Sequence, residues 1–482
     1  MMYPSFLKRY SIKEIFLFLT LFTIAACSST KYDNIDRGEG YNYRPGFPEL
    51  RLAATGHVDA NNTPKIIVSG DVVYGSLIYS GKDDVFKAEI DIDVQIIKNP
   101  ETDESEVVAN ENYSEVLTSL NNRIVYSQDV FSFEKTYPMG PGDYKITVSV
   151  TDGASGQRSQ RSVLTSLPNP QDNKPHITEI RILGKDSSAA DPAFKQATTY
   201  DIQSSLDSLK FTFQVTNNNP DVPINLNSRL LKFKSDTSIA RPMNYNDYSP
   251  SSMAYKGIVY DDFEIIQSST RELNQTGSVI IEFGFKNLDR GNYRLEVTTK
   301  QGDDEEIYKG RDFGIKSPNY PSLRTAKELA RPLSYLMSEK EYDNLMSIST
   351  SDSLKQAIDR FWLANVQNAS TAKSVISLYY ERVEEANKQF SNFKEGWKTD
   401  PGMMYILFGP PWYVDRFGEQ MHWSYAYDKE DPERNFTFYR TKLNNKFFPF
   451  DNYLLNRSNF YFTLQNQQIE RWRSGSILTY NL

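Results

Sequence analysis

The chain has 482 residues, 54 Lys and Arg against 62 Asp and Glu, a formal net charge of −8, and one cysteine. The acidic surplus argues against nucleic acid or anionic lipid as a charge-driven partner, and a lone cysteine excludes an internal disulfide, so packed cores must hold the fold. Three scattered histidines, His57, His176 and His422, among 31 Tyr and 28 Phe leave little material for a transition-metal site or a histidine triad, and no cofactor is expected.

At the N-terminus Lys8, Arg9 and Lys13 precede the apolar run Ile15 to Ala26, and Ala25-Ala26 lead directly into Cys27. That order reads as a secretory signal, and the run is shorter than the about 20 residues that a membrane span needs. The small-small-Cys junction resembles the lipobox of bacterial lipoproteins, in which the cysteine is acylated and becomes the new N-terminus. Residues 1–26 are thus expected to be removed, with Cys27 as the lipidation site and its acyl chains, palmitate among them, as the membrane anchor. Each buried methylene of such a chain contributes about 0.8 kcal/mol. Loss of Lys8, Arg9, Lys13 and Glu14, which together carry +2, takes the formal charge from −8 to −10. Residues 27–48 carry Gly, Pro and charge without periodicity, as a flexible tether does.

The rest is too long for one core and implies roughly three domains of 100 to 200 residues. An internal repeat marks two of them: Gly142-Asp143-Tyr144-Lys145-Ile146-Thr147-Val148 recurs as Gly291-Asn292-Tyr293-Arg294-Leu295-Glu296-Val297. Pro168 lies 24 residues after Tyr144, and Pro318 lies 25 residues after Tyr293. Alternating runs such as Val130 to Phe133 and Val279 to Phe283 precede each copy, which is the period of half-buried antiparallel strands. The repeat resembles the penultimate strand of immunoglobulin-like or fibronectin-III-like sandwiches, which implies that Tyr144 and Tyr293 pack inward and satisfy nearby backbone. Two such all-β domains are expected at 49–168 and 174–317. Proline-rich joints at Pro168 to Pro175 and at Pro318 to Pro321 suggest a semi-rigid string of modules. Acidic turns such as Lys82-Asp83-Asp84 and Gly302 to Glu306 lack the spacing of a calcium loop and read as solvated charge.

From 322 to 482 the period changes to about 3.6. Ser338 to Glu341 is a capping-box pattern; Leu354, Ile358, Phe361, Trp362 and Val366 share one helical stripe, and Val375, Tyr379, Val383, Ala386, Phe390 and Phe393 another. Gly396 suits a left-handed helix cap, Pro401-Gly402 a type II turn, and Met403 to Phe408 a short buried strand ended by Gly409-Pro410-Pro411. Met421 to Tyr425 and Asn435 to Tyr439 are further strand candidates, and Leu464 to Arg473 a last helix. Helices with a small antiparallel sheet make this an α+β domain.

The run from Gly396 to Pro411 (GWKTDPGMMYILFGPP), with Arg360-Phe361-Trp362 and Tyr380 to Asn387 upstream, resembles the GWxTD domain of bacterial envelope proteins over about Ser322 to Tyr439. The resemblance brings no catalytic residue with it, so Gly396, Trp397, Thr399, Asp400, Gly409, Pro410 and Pro411 are read as structural. Turn chemistry already accounts for Thr399 and Asp400, and His422 lies on a strand face opposite Trp423 with no activated-serine motif nearby. All five tryptophans, Trp362, Trp397, Trp412, Trp423 and Trp472, fall in the last third, and Trp412 with Tyr413 is the pair expected at an exposed contact. The expectation is a non-enzymatic outer-membrane lipoprotein serving as an interaction or accessory subunit of a bacterial envelope assembly. An aromatic site for glycan or peptide is the second reading, and a hydrolase using Asp400 or His422 the third.

Overall fold

In the computed structural model, the described residues are 31–32, 45–61, 63–169, 174–219, 221–245, 257–301, 306–366, 368–428, 431, 433–441 and 450–479. Cys27 and the expected signal lie outside them, as do most of the expected tether and residues 302–305 of the second acidic turn. The first globular unit begins earlier than residue 49, because Gly46 and Pro48 are already buried and the Gly46 amide donates to the Ser76 carbonyl at 2.9 Å. Within the expected tether, Lys31–Tyr32 forms a short strand parallel to Lys309 and Gly310.

Seven principal strands follow: β1 Leu50–Val58, β2 Pro64–Val73, β3 Val85–Lys98, β4 Glu106–Ser119, β5 Val130–Pro138, β6 Gly142–Asp152 and β7 Arg158–Leu167. Alternation is clearest in β3. Along β3, Ala88, Ile90, Ile92, Val94 and Ile96 are each at most 1% exposed, while Lys87, Glu89 and Asp91 face solvent. Burying each aliphatic side chain contributes about 1.5–3 kcal/mol. One sheet has the order β1-β2-β5 and the other β4-β3-β6-β7, and the two share one core.

The pattern then repeats with β8 Arg181–Lys185, β9 Ser208–Asn217, β10 Ile224–Ser235, β11 Ile258–Leu273, β12 Gly277–Lys286, β13 Gly291–Gln301 and β14 Ile307–Lys316. The sheets are β8-β9-β12 and β11-β10-β13-β14, with short strands added at the edges, again around one core. Tyr144 and Tyr293 occupy equivalent places, each 1% exposed. The Tyr144 hydroxyl donates to the Gly140 carbonyl at 2.6 Å, and that of Tyr293 to the Asp289 carbonyl at 2.7 Å. Each ring thus fills a core while its polar tip closes the turn four residues upstream.

The C-terminal region contains α1 Ala326–Ala330, α2 Glu339–Met346, α3 Ser351–Val366, α4 Ala369–Phe390, α5 Asp400–Phe408, the sheet β15 Tyr413–Phe417, β16 Gln420–Ser424, β17 Asn435–Arg440 and β18 Tyr453–Leu455, and α6 Tyr461–Ser474. The Ser338 capping box opens α2 as expected. One expectation fails: Met403 to Phe408 is a helix, and Pro401-Gly402 forms its first turn rather than a type II turn. Every residue of α5 is buried, so the run carries no polar face and no period to distinguish helix from strand. Thr399 decides the matter locally, because its side-chain oxygen accepts from the Gly402 amide and starts the helix, and Pro at the first turn loses no needed donor.

The modules do more than follow one another along a string. Between the first two, the Gln214 side-chain amide exchanges hydrogen bonds with both backbone groups of Val58, each at 2.7 Å. Beside it Glu179 accepts from the Gly56 amide at 3.0 Å and from Lys309 Nζ at 3.3 Å. Burial would raise the Glu179 carboxyl, but Lys309 and these donors hold it below the usual range. The segment after β10 then reaches into the C-terminal core, where Met243 is 0% exposed and its amide donates to Gln465 Oε1 at 2.7 Å. Met243→Ala is expected to cost about 2–5 kcal/mol and to open residues 236–245 to protease. A denaturation midpoint and a cleavage rate both equal to the parent's would contradict this packing.

Candidate functional site

The motif residues meet at the two ends of α5. A single 3-10 turn, Gly396–Lys398, precedes the helix, and Gly396 sits there for want of space rather than as a left-handed cap. A Cβ on Gly396 would lie 1.9 Å from the Ala386 carbonyl oxygen, and one on Gly402 would lie 1.9 Å from that of Gly396. Backbone on backbone leaves no side chain to yield, so both must be glycine.

Trp397 is 3% exposed and stands edge-on to Tyr335, with ring centroids 6.2 Å apart. The Tyr335 hydroxyl donates to the Trp397 carbonyl at 2.6 Å, and the Trp397 amide donates to Asn387 Oδ1 at 3.2 Å. Thr399 Oγ1 donates to the Gly396 carbonyl at 2.7 Å while accepting from the Gly402 amide at 3.1 Å.

Asp400 is 5% exposed and fully used. Its Oδ2 accepts from the Leu455 amide at 2.8 Å and from Arg457 Nη1 at 2.5 Å, and its Oδ1 accepts from Arg457 Nη2 at 2.8 Å. Arg457 in turn donates from Nε to the Pro242 carbonyl at 3.1 Å and from Nη2 to the Arg241 carbonyl at 3.0 Å. The guanidinium thus ties α5, β18 and the segment from the second β unit together. A carboxylate engaged by a two-pronged ion pair and a backbone amide is poorly placed as a general base.

At the other end, Arg382 Nη1 donates to the Ile406 carbonyl at 3.3 Å, while Gln468 Nε2 and Trp472 Nε1 both donate to the Leu407 carbonyl, at 2.7 and 3.0 Å. A cation and neutral donors here satisfy carbonyls that a buried helix end would otherwise leave orphaned. Gly409 has φ +85°, and a Cβ there would come within 2.8 Å of Arg382 Nη2. Pro410 and Pro411 then lead the chain away toward β15.

Sequence reasoning missed Glu395, which stands immediately before the motif. Its carboxylate accepts from Trp397 Nε1 at 3.1 Å and the Ser317 amide at 3.2 Å, and it pairs with Arg290 and, at 3.4 Å, with Lys398. Burial would raise this carboxyl, yet Lys398 and Arg290 bring it down to about 2. Burial also lowers Lys398, and the Glu395 carboxylate opposes that shift. Only the dipeptide Glu395-Gly396 beside the motif signalled it. Arg382 and Asn387 fall within the run from Tyr380 to Asn387 quoted above, but nothing in helical spacing revealed that they cap and clamp.

His422 is placed apart from Asp400's bonding partners: its Nδ1 lies 3.0 Å from Thr437 Oγ1, and its ring lies 6.0 Å from that of Phe417. Trp423, on the opposite face as expected, is 2% exposed. Trp362, Trp397 and Trp472 are buried as well. Trp412 and Tyr413 point the other way, each 48% exposed, at the start of β15, the outer strand of the sheet β15-β16-β17-β18. Phe417 at 65% and Tyr427 at 82% are exposed nearby, and the rings of Trp412 and Tyr427 meet edge-on at 5.2 Å.

A cleft of 610 Å³ opens where all three modules meet, lined by Glu49, Arg51, Asp71, Thr198, Tyr320 and Lys388 among others. Within it Glu49 lies 2.9 Å from Arg51 and 3.6 Å from Lys388. Among the described residues no three His, Cys, Asp or Glu side chains gather as a metal site.

Two outcomes test the structural role of the motif. Asp400→Ala leaves Arg457 buried without its carboxylate and is expected to cost about 3–5 kcal/mol, read from the denaturant midpoint. A loss below about 1 kcal/mol would contradict it. For Glu395 the folded carboxyl titrates lower than the ordinary 4.5, so its stabilisation is present above about pH 4.5 and is lost as pH falls through about 2. Glu395→Gln should therefore be less stable than the parent by on the order of 3 kcal/mol at neutral pH, with the gap closing toward pH 2. A gap independent of pH would refute the assignment.

No curated protein matches the chain. Among solved structures, a red sea bream transglutaminase is 9% identical, with TM-score 0.17, covering 56% of this chain and 31% of that one. An alpha-2-macroglobulin mutant of Salmonella is 13% identical, with TM-score 0.18, covering 57% of this chain and 17% of the other. The chain thus spans less than a third of either, and at those scores the overlays carry no argument. The family model described as the GWxTD domain matches residues 298–474, from the end of β13 to the end of α6, wider than the run that carried the resemblance. The C-terminal region of this chain is a GWxTD domain.

Proposed function

We propose that this protein is an outer-membrane lipoprotein that performs no catalysis and acts as an interaction or accessory subunit of a bacterial envelope assembly. The observation that carries the reading is the aromatic patch on β15. Trp412, Tyr413, Phe417 and Tyr427 are each about half exposed or more, while the other four tryptophans are buried. Large rings held on a rigid sheet edge are the residues that dominate protein interfaces. The side chains of Trp397, Thr399 and Asp400, in contrast, are buried and hydrogen-bonded within the domain, which leaves the patch as the surface best suited to a partner.

The two β units serve as spacers and are immunoglobulin-like on this reading. In each, the first, second and fifth strands face a sheet of the fourth, third, sixth and seventh, and a buried tyrosine closes the corner before the sixth. The signal-like N-terminus ending in Cys27 supplies the anchor. Glycan or peptide binding is the second reading, favoured by the edge-on contact of Trp412 with Tyr427.

Cys27→Ala is expected to abolish labelling by radioactive palmitate and to release the protein from the membrane fraction or block its processing; undiminished labelling would refute the anchor. For the patch, Trp412→Ala combined with Phe417→Ser should leave the fold intact and reduce recovery of a stoichiometric crosslinked protein partner at least about tenfold. If the parent chain yields no such partner, yet binds soluble envelope glycan through the same residues, the second reading replaces the first.

A further inference from the structure

The fourth strand of each β unit, β4 and β11, lies at the outer side of its sheet. Among the described residues β4 pairs only with β3, and β11 only with β10. They are long for edge strands, 14 and 16 residues. Natural edges are commonly blunted by brevity, by lysine or by proline. Neither strand contains a lysine or a proline.

Both strands expose apolar side chains. On β11 these are Val259 at 41%, Phe263 at 39%, Ile265 at 48% and Ile266 at 37%; on β4 they are Val107 at 53% and Val116 at 51%. The inward partner β10 alternates buried and exposed, whereas β11 is exposed along almost its whole length, so it projects past the core and presents both faces. Bulges interrupt its register between Leu230 and Leu231 and between Phe233 and Lys234, but Gln267 to Leu273 runs unbroken against Leu230 to Ile224. That regular stretch offers roughly 20 Å of strand edge.

The charge on this edge is mostly negative. Asp261, Asp262, Glu264 and Glu272 stand on β11 against Arg271 alone, and β4 carries Glu106, Glu111 and Glu115 with no basic residue. Some of it is used internally, as Lys234 pairs with Asp262 at 3.0 Å and Tyr137 donates to Glu111 at 2.7 Å. Parallel, in-register pairing of two copies of β11 would set each carboxylate against its own copy, which like-charge cross-strand contacts disfavour.

We propose that β11 is a strand-addition site whose occupant is an extended segment of a partner protein in which Lys or Arg alternates with β-branched residues. Backbone hydrogen bonds along Gln267 to Leu273 would supply affinity, and the acidic and apolar side chains around Phe263 and Ile265 would select the basic, apolar segment. β4 is the same device at the equivalent place of the first unit. The site is separate from the aromatic patch and does not rest on it.

The probe is a fluorescein-labelled ten-residue peptide alternating Lys and Val, with an otherwise identical Glu-Val peptide as control, titrated into the purified full-length protein. The Lys-Val peptide is expected to bind at least about tenfold more tightly and to slow amide hydrogen exchange at Gln267 to Leu273. Asp261→Lys with Asp262→Lys and Glu264→Lys should remove that preference without changing the thermal midpoint. Glu272→Lys, at the regular end of the strand, keeps the test open if the triple variant fails to fold, and should weaken the Lys-Val peptide alone. Equal binding of the two peptides, or protection confined to strands other than β11 and β4, overturns the proposal. Concentration-dependent dimerisation that protects β11 without any peptide also overturns it and assigns the edge to a second copy of the chain.

Discussion

The buried ion pair between Asp400 and Arg457 is the constraint on which the C-terminal architecture turns. Helix α5 has no exposed residue, so none of its end groups can be left to water. Thr399 satisfies an amide at the start, and Arg382, Gln468 and Trp472 satisfy carbonyls at the end. Asp400 then brings in Arg457, whose remaining donors hold the carbonyls of Arg241 and Pro242. A helix that is hydrophobic all round thus becomes the place where a sheet, two long helices and a segment of the preceding β unit are registered against one another.

The same logic extends outward through Glu395. Its carboxylate joins the motif tryptophan to Arg290 and to the backbone at Ser317, at the junction with the second β unit. Asn292 and Lys316 add hydrogen bonds to the carbonyls of Phe393 and Asn392, both at 2.7 Å. Interfaces of this kind are polar and buried at once, so they hold orientation strongly while adding little apolar stabilisation. Surfaces on different modules, such as the aromatic patch on β15 and the acidic edge of β11, are then presented in a fixed relation.

Much of the fold was legible because its periods are clean. Alternation in β5 and β12, the repeated Gly-[Asp/Asn]-Tyr with its corner hydroxyls, and the capping box at Ser338 each state a local rule that the chain follows. The candidate patch was legible in part, since Trp412 lies in a proline-led loop while Trp362 and Trp397 sit on apolar stripes or at helix ends. What escaped was decided by partners distant in sequence. Met403 to Phe408 has no polar face, so only Thr399 and a buried environment make it helical. Gly396 is fixed by the Ala386 carbonyl, Asp400 by an arginine 57 residues later, and Met243 by a core that the pattern of its own β unit does not announce.

The most direct measurement of whether the motif is architectural replaces its central charges together, Asp400→Leu with Arg457→Met, and follows native-state hydrogen exchange of α5 alongside recovery of the crosslinked partner proposed above. The pair also satisfies the Leu455 amide and the carbonyls of Pro242 and Arg241, which apolar side chains would leave orphaned. The account predicts that α5 loses protection. Loss of the partner or of function with α5 fully protected would show that Asp400 or Arg457 acts directly, and would contradict it.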